Sequence, residues 1–177
     1  MEPEYNGCPD NPLQEREARL AALFDACYPR IARYALARIG DQSEAEDIAS
    51  EVFVRAIEAL PSYHERGLPM EAWLFRIAHN LVVDHLRRVN RVERSEEPAE
   101  GLPDSPDPAH IAEERIRLRE VREAMRTLTP QQREVVSLRF FAGLDSKEVA
   151  EVLHKSRGSV REMQRAALER LREMLSQ

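Results

Sequence analysis

Glycine is scarce in this chain, with six among 177 residues. Tight hairpins lean on glycine at positive φ, so a fold of many short strands is disfavoured. Cysteine is scarcer still: Cys8 and Cys27 only. Neither lies in a CxxC or in a Cys/His cluster with metal-ligand spacing, which argues against a disulfide scaffold and against a thiolate metal site. No window approaches 18 consecutive apolar residues, so no membrane insertion is expected. The first residues, MEPEYNGCPDNP, are acidic and lack the basic-then-apolar order of a secretory signal. A cytoplasmic protein with no metal and no cofactor is therefore expected.

What is present favours helix. Ala, Leu, Arg and Glu dominate. At 42% hydrophobic and 33% charged residues, the chain can build cores, though small ones. The stretch Val92 to His110 carries Pro98, Pro103, Pro106 and Pro108 and almost no large apolar residue. Proline restricts its own φ and biases its predecessor away from helix, and like charges keep such a segment extended. The expected fold class is all-α: two small helical domains, residues 13–91 and 111–177, joined by an acidic Pro-rich linker at 92–110. Net charge follows the same division, at −4, −5 and +3 for residues 1–91, 92–110 and 111–177, within a total of −6. Two stretches are locally basic, Arg76 to Arg91 and His154 to Arg172. Phosphate backbones attract such patches, although solvated helix faces can look alike.

In the N-terminal part, Leu13 to Ile39 has an apolar stripe through Leu20, Leu23, Phe24, Ile31, Tyr34 and Ala35, with Pro29 expected to split or kink it. Ser43 and Glu46 have capping-box spacing and should open a second helix that runs to about Leu60, with Ile48, Val52 and Ala56 inward. Pro61 to Pro69 reads as a loop and Met70 to Asn90 as a third helix. There Trp73, Ile77 and Leu81 form an inward stripe, which makes Trp73 core rather than a stacking platform. In the C-terminal part, a first helix is expected from about Ala109 to Thr127. Thr129-Pro130-Gln131-Gln132 then has the cap, the N1 proline and the T-x-x-Q box of a helix start, and Gly143 can end that helix.

After Gly143, Asp145 and Glu148 suggest another capped helix, with Val149, Ala150 and Leu153 inward. His154-Lys155 makes a turn, Ser156 caps the next helix, and Val160 and Met163 pin it. Arg157, Ser159, Arg161, Glu162, Gln164 and Arg165 are left outward. This is the layout of a helix-turn-helix, in which N-terminal residues of the second helix reach base edges and cations hold phosphates. A plain helical hairpin would share the amphipathic pattern. His154 sits where φ is often positive, a place that glycine fills at less cost.

The stretch LTPQQREVVSLRFFAGLDSKEVAEVLHKSRGSVREMQRAALERLR resembles the −35-binding domain of bacterial sigma factors. AEDIASEVFVRAIEAL and EAWLFRIAHNLVVDHLRR resemble the domain that binds core polymerase and the −10 element. Two motifs in family order with a short linker are similar to the extracytoplasmic-function (ECF) subfamily. The resemblance implies that the chain lends promoter specificity to core RNA polymerase, without enzymatic activity of its own. Its partners would be the β′ clamp helices and β flap, promoter DNA and an anti-sigma factor. It implies core binding through Asp47, Glu51, Phe53 and Arg55. It implies −10 contacts by Tyr63, His64, Arg76, Asn80, Arg87, Arg88 and Arg91. It implies −35 contacts by Ser156, Arg157, Ser159, Val160, Arg161, Glu162 and Arg165. The linker would thread toward the polymerase active-site and RNA-exit channel. The chain departs from the family's Gly-hydrophobic-Ser turn at His154-Lys155-Ser156. It also has Glu162 and Met163 where the family has a small polar and a basic residue.

Two other classes remain in view: a stand-alone helix-turn-helix regulator, and a helical metal-dependent hydrolase built on His79, Asp84 and His85. On a 3.6-residue helix, His79 and His85 point well apart, unlike an i, i+4 ligand pair.

Overall fold

The computed structural model describes residues 12–64, 68–92, 121 and 123–175; among them every regular element is helical. The N-terminal 11 residues and the linker lie outside the described residues, as does most of the helix expected from Ala109 to Thr127, of which residues 123–126 are seen as helix.

Helix α1 spans Pro12–Ile39. Pro29 does not split it. One missing N–H and one lost bond are tolerated because the inward face continues unbroken through Leu20, Cys27, Ile31, Tyr34 and Ala35. Gly40 ends the helix at φ 87°, with its N–H on the Leu36 carbonyl at 2.9 Å. Asp41 then takes an extended conformation and accepts from the Glu44 N–H, which starts α2, Gln42–Ala59. The cap is therefore Asp41 and not Ser43, which lies inside the helix. The reason is local: a cap needs a non-helical φ/ψ, and the turn at Gly40 gives that to Asp41. A 3₁₀ turn, Leu60–Ser62, leads toward α3, Met70–Val92.

Thr129 and Gln132 form the expected capping box on α4, Pro130–Val136. This helix runs on into a π-helical turn, Ser137–Phe141, closed by the Ala142 N–H on the Ser137 carbonyl at 3.1 Å. Gly143 turns the chain at φ 72°. Helices α5, Ser146–Leu153, and α6, Arg157–Leu175, complete the chain.

One apolar core runs through both parts. Ile31, Tyr34, Val52, Met70, Leu74 and Phe75 are fully buried in the same cluster as Val135, Leu138, Leu144, Val149, Val152 and Val160. A smaller cluster, Met125, Leu128, Val136 and Ala167, fixes the later turns of α6 on α4. The Cys27 thiol is fully buried, and burial with Glu71 nearby pushes its pKa up to about 11, so it is neither exposed nor reactive.

Candidate nucleic-acid interface

Helix α5 starts on a complete capping box. The Asp145 carboxylate accepts from the N–H groups of Lys147 and Glu148 at 2.6 and 2.8 Å, and the Glu148 carboxylate accepts from the Asp145 N–H at 2.7 Å. The Glu148 and Lys147 N–H groups hold the Asp145 carboxyl below the usual range. His154 then sits in the left-handed region, φ 52° and ψ 46°, the one non-glycine at positive φ among the described residues. The Lys155 N–H returns to the Ala150 carbonyl at 2.9 Å and closes the turn. Ser156 Oγ accepts from the Ser159 N–H at 3.1 Å and caps α6.

This geometry turns Arg157, Arg161, Glu162 and Arg165 outward near the start of α6, beside exposed Ser156 and half-buried Ser159. Val160 departs from the expected contact set: it is fully buried and anchors the helix instead. Gln164, read as outward, accepts from Arg139 Nε at 3.0 Å, while Arg139 also donates to the Leu144 carbonyl. Arg139 thereby ties α6 to the turn ahead of α5, a brace that no local spacing announces.

On α3, Asn80, Arg87, Arg88 and Arg91 are exposed. Arg76 is not free: it donates to the Glu151 carbonyl of α5 at 2.7 Å, and its Nε is buried without a partner. In the preceding loop, His64 is exposed but Tyr63 is 7% exposed, stacked at 4.7 Å on Trp73, with its hydroxyl donating to the Leu68 carbonyl. Tyr63 thus props the loop from beneath and cannot receive a base in this conformation. Trp73 packs, half-buried, against the core as expected.

On α2, Asp47 is exposed, and Glu51 accepts from Arg55 at 2.8 Å. Phe53, expected beside this row, is 6% exposed under Phe24 and Tyr28. The apolar surface there belongs to Phe24, Val54 and Ile57, which are 44, 50 and 64% exposed. Phe24 and Ile57 edge a groove of about 600 Å³ between α1 and α2, with Leu20, Leu60 and Pro61. Phe24 falls on the inward stripe by spacing, so the sequence signal hid it; Val54 and Ile57 lie off the inward positions, which was the available clue.

The three residues of the hydrolase alternative do not converge. His79 lies against Glu134, His85 Nδ1 is 3.5 Å from Glu44, and Asp84 pairs with Arg87. Among the described residues no helix is long and apolar enough to cross a membrane.

Residues 23–92 match the sigma-70 region 2 family, and residues 124–173 match sigma-70 region 4. The ECF RNA polymerase sigma factor SigD of Mycobacterium tuberculosis is 36% identical over 162 residues, covering 87% of this chain and 76% of SigD. The ECF sigma factor BldN of Streptomyces coelicolor is 33% identical over 167 residues, covering 86% of this chain; the chain spans 59% of BldN's length. In fold, the chain is similar to the Bartonella quintana sigma factor RpoE, solved in complex with the anti-sigma factor NepR, at a TM-score of 0.69 and 21% identity over 92% of this chain and 98% of that one. Region 2 and region 4 in order, with the helix-turn-helix in the second, place the chain among the ECF RNA polymerase sigma factors, the family to which it belongs.

Proposed function

We propose a division of labour along the chain, with residues 13–91 serving core polymerase and the −10 element, residues 92–110 as tether, and residues 111–177 serving the −35 element. As an ECF sigma factor the chain directs promoter-specific initiation by core RNA polymerase. The outward face of α6 carries the −35 reading: Ser156, Arg157, Ser159, Arg161, Glu162 and Arg165 stand on a helix whose start and inward face are both fixed. The arginines suit phosphates or guanine edges, and Glu162 suits a cytosine amine. Arg76, Asn80, Arg87, Arg88 and Arg91, with His64 at the loop, form the −10 side.

Core docking falls to the polar row Asp47, Glu51 and Arg55 beside exposed Phe24, Val54 and Ile57. An exposed apolar patch rimmed by charge is what a partner helix covers. We extend to this chain an anti-sigma partner, a cytoplasmic location and a role without enzymatic chemistry. The test is Asp47→Arg with Glu51→Arg: core affinity is expected to collapse while the helical circular dichroism survives. Intact core binding by the folded double variant would remove this assignment. Promoter opening by the free chain, without core, would instead favour the stand-alone regulator.

A further inference from the structure

The two parts of the chain are joined by polar groups that no helix needs internally. Glu134 of α4 is buried, and its carboxylate sits in a cup made by the N-terminal part. Tyr34 Oη donates to it at 2.5 Å, Arg38 Nε at 3.0 Å and His79 Nδ1 at 3.0 Å. An ionised carboxylate only accepts, so the His79 proton is on Nδ1. Two further arginines of the N-terminal part cap helix ends of the C-terminal part. Arg30 Nε donates to the Ala142 carbonyl at 2.7 Å, where the π turn ends, and Arg76 donates to the Glu151 carbonyl near the end of α5. These carbonyls are the orphan acceptors of helix C-termini, which favour a cation. Arg30 is itself held by Glu71 and by the ring of Phe75, 5.2 Å away.

We propose that this three-point clasp holds the free sigma factor closed, with its own α5 docked on α3 and Arg76 withheld from DNA. The inference rests on the reading of α3 as the −10 helix. Arg76 cannot serve a phosphate while its guanidinium caps α5. Its buried Nε gains no partner in the closed form, so the contact gives up a donor that an opened chain could use. The groove between α1 and α2 is lined only by N-terminal residues and stays uncovered. The closed chain therefore presents its polymerase face and hides its DNA face, which orders the events: core first, promoter second.

The experiment uses the full chain, Glu134→Gln and Arg30→Ala, which undo the clasp from opposite sides. Neither residue is in the DNA or core surfaces. By small-angle scattering, the wild type should show the roughly 16 Å radius of gyration of a compact chain of this length. Both variants should be larger at unchanged helicity. A single-stranded oligonucleotide carrying a −10 element selected on holoenzyme should bind the core-free variants about tenfold more tightly than wild type, because the competent fraction limits apparent affinity. Holoenzyme run-off transcription should be retained. If Glu134→Gln loses helicity, Arg30→Ala decides. An extended wild type, or folded variants with unchanged size and unchanged core-free binding, overturns the clasp. A wild-type holoenzyme that ignores the promoter overturns the underlying reading instead.

Discussion

His154 shows how one side chain can carry a strain that its neighbours dictate. A non-glycine residue in the left-handed region costs on the order of 1–3 kcal/mol, and glycine's extra unfolded freedom offsets about 0.5–1 of that on replacement. His154 is exposed, so its ring has little packing to lose. His154→Gly should therefore raise stability by roughly 0.5–1 kcal/mol, or a few degrees in Tm for a chain of this size. Thermal unfolding checks it, and a lower Tm would mean that the imidazole holds something. The positive φ at this residue was readable from the turn position alone. The burial of Tyr63, Phe53 and Val160 was not, because it depends on which neighbouring element covers each ring or methyl. Spacing assigns a face; it does not say whether Phe24 or Phe53 is the ring on top.

Elements whose starts are written within four residues were the most legible. The boxes Thr129–Gln132 and Asp145–Glu148 form as their spacing requires, since both partners lie in one turn. Asp145→Ala should cost about 1–2 kcal/mol and weaken −35 binding by loosening the start of α5, whereas Asp145→Asn should keep most of the cap. The sign of the pH dependence follows from the depressed carboxyl. Its contribution is present above the ordinary aspartate range and fades as pH falls through the lower folded value. Asp145→Asn should lose that acid sensitivity while keeping near-wild-type stability at neutral pH, which denaturant titrations of the three proteins would read. The π turn at Ser137–Phe141 had no such local signature. It depends on fully buried Ser137 and on Arg30 reaching the Ala142 carbonyl from 112 residues away.

At the scale of the molecule, the division into two helical parts was legible from proline and charge, while their mutual docking was not: Tyr34 and Arg38 meet Glu134 across about a hundred residues. Burial alone would raise the Glu134 carboxyl, but the His79 hydrogen bond, the Arg38 charge and the Tyr34 hydroxyl together hold it below the usual glutamate range. A depressed folded value means that the stabilisation is complete above the unfolded value of about 4.3 and is lost as pH falls through the folded one. Glu134→Gln removes the charge opposite Arg38 and should cost roughly 2–4 kcal/mol at neutral pH, since a buried ion is left without its counter-charge. That gap should narrow steadily below about pH 4, where the wild-type carboxylate takes up a proton and comes to resemble the amide. Urea unfolding of both proteins between about pH 3 and 7 measures the gap directly. A gap that widens in acid would mean that burial dominates after all, and that Glu134 is carried neutral in the joint between the two parts.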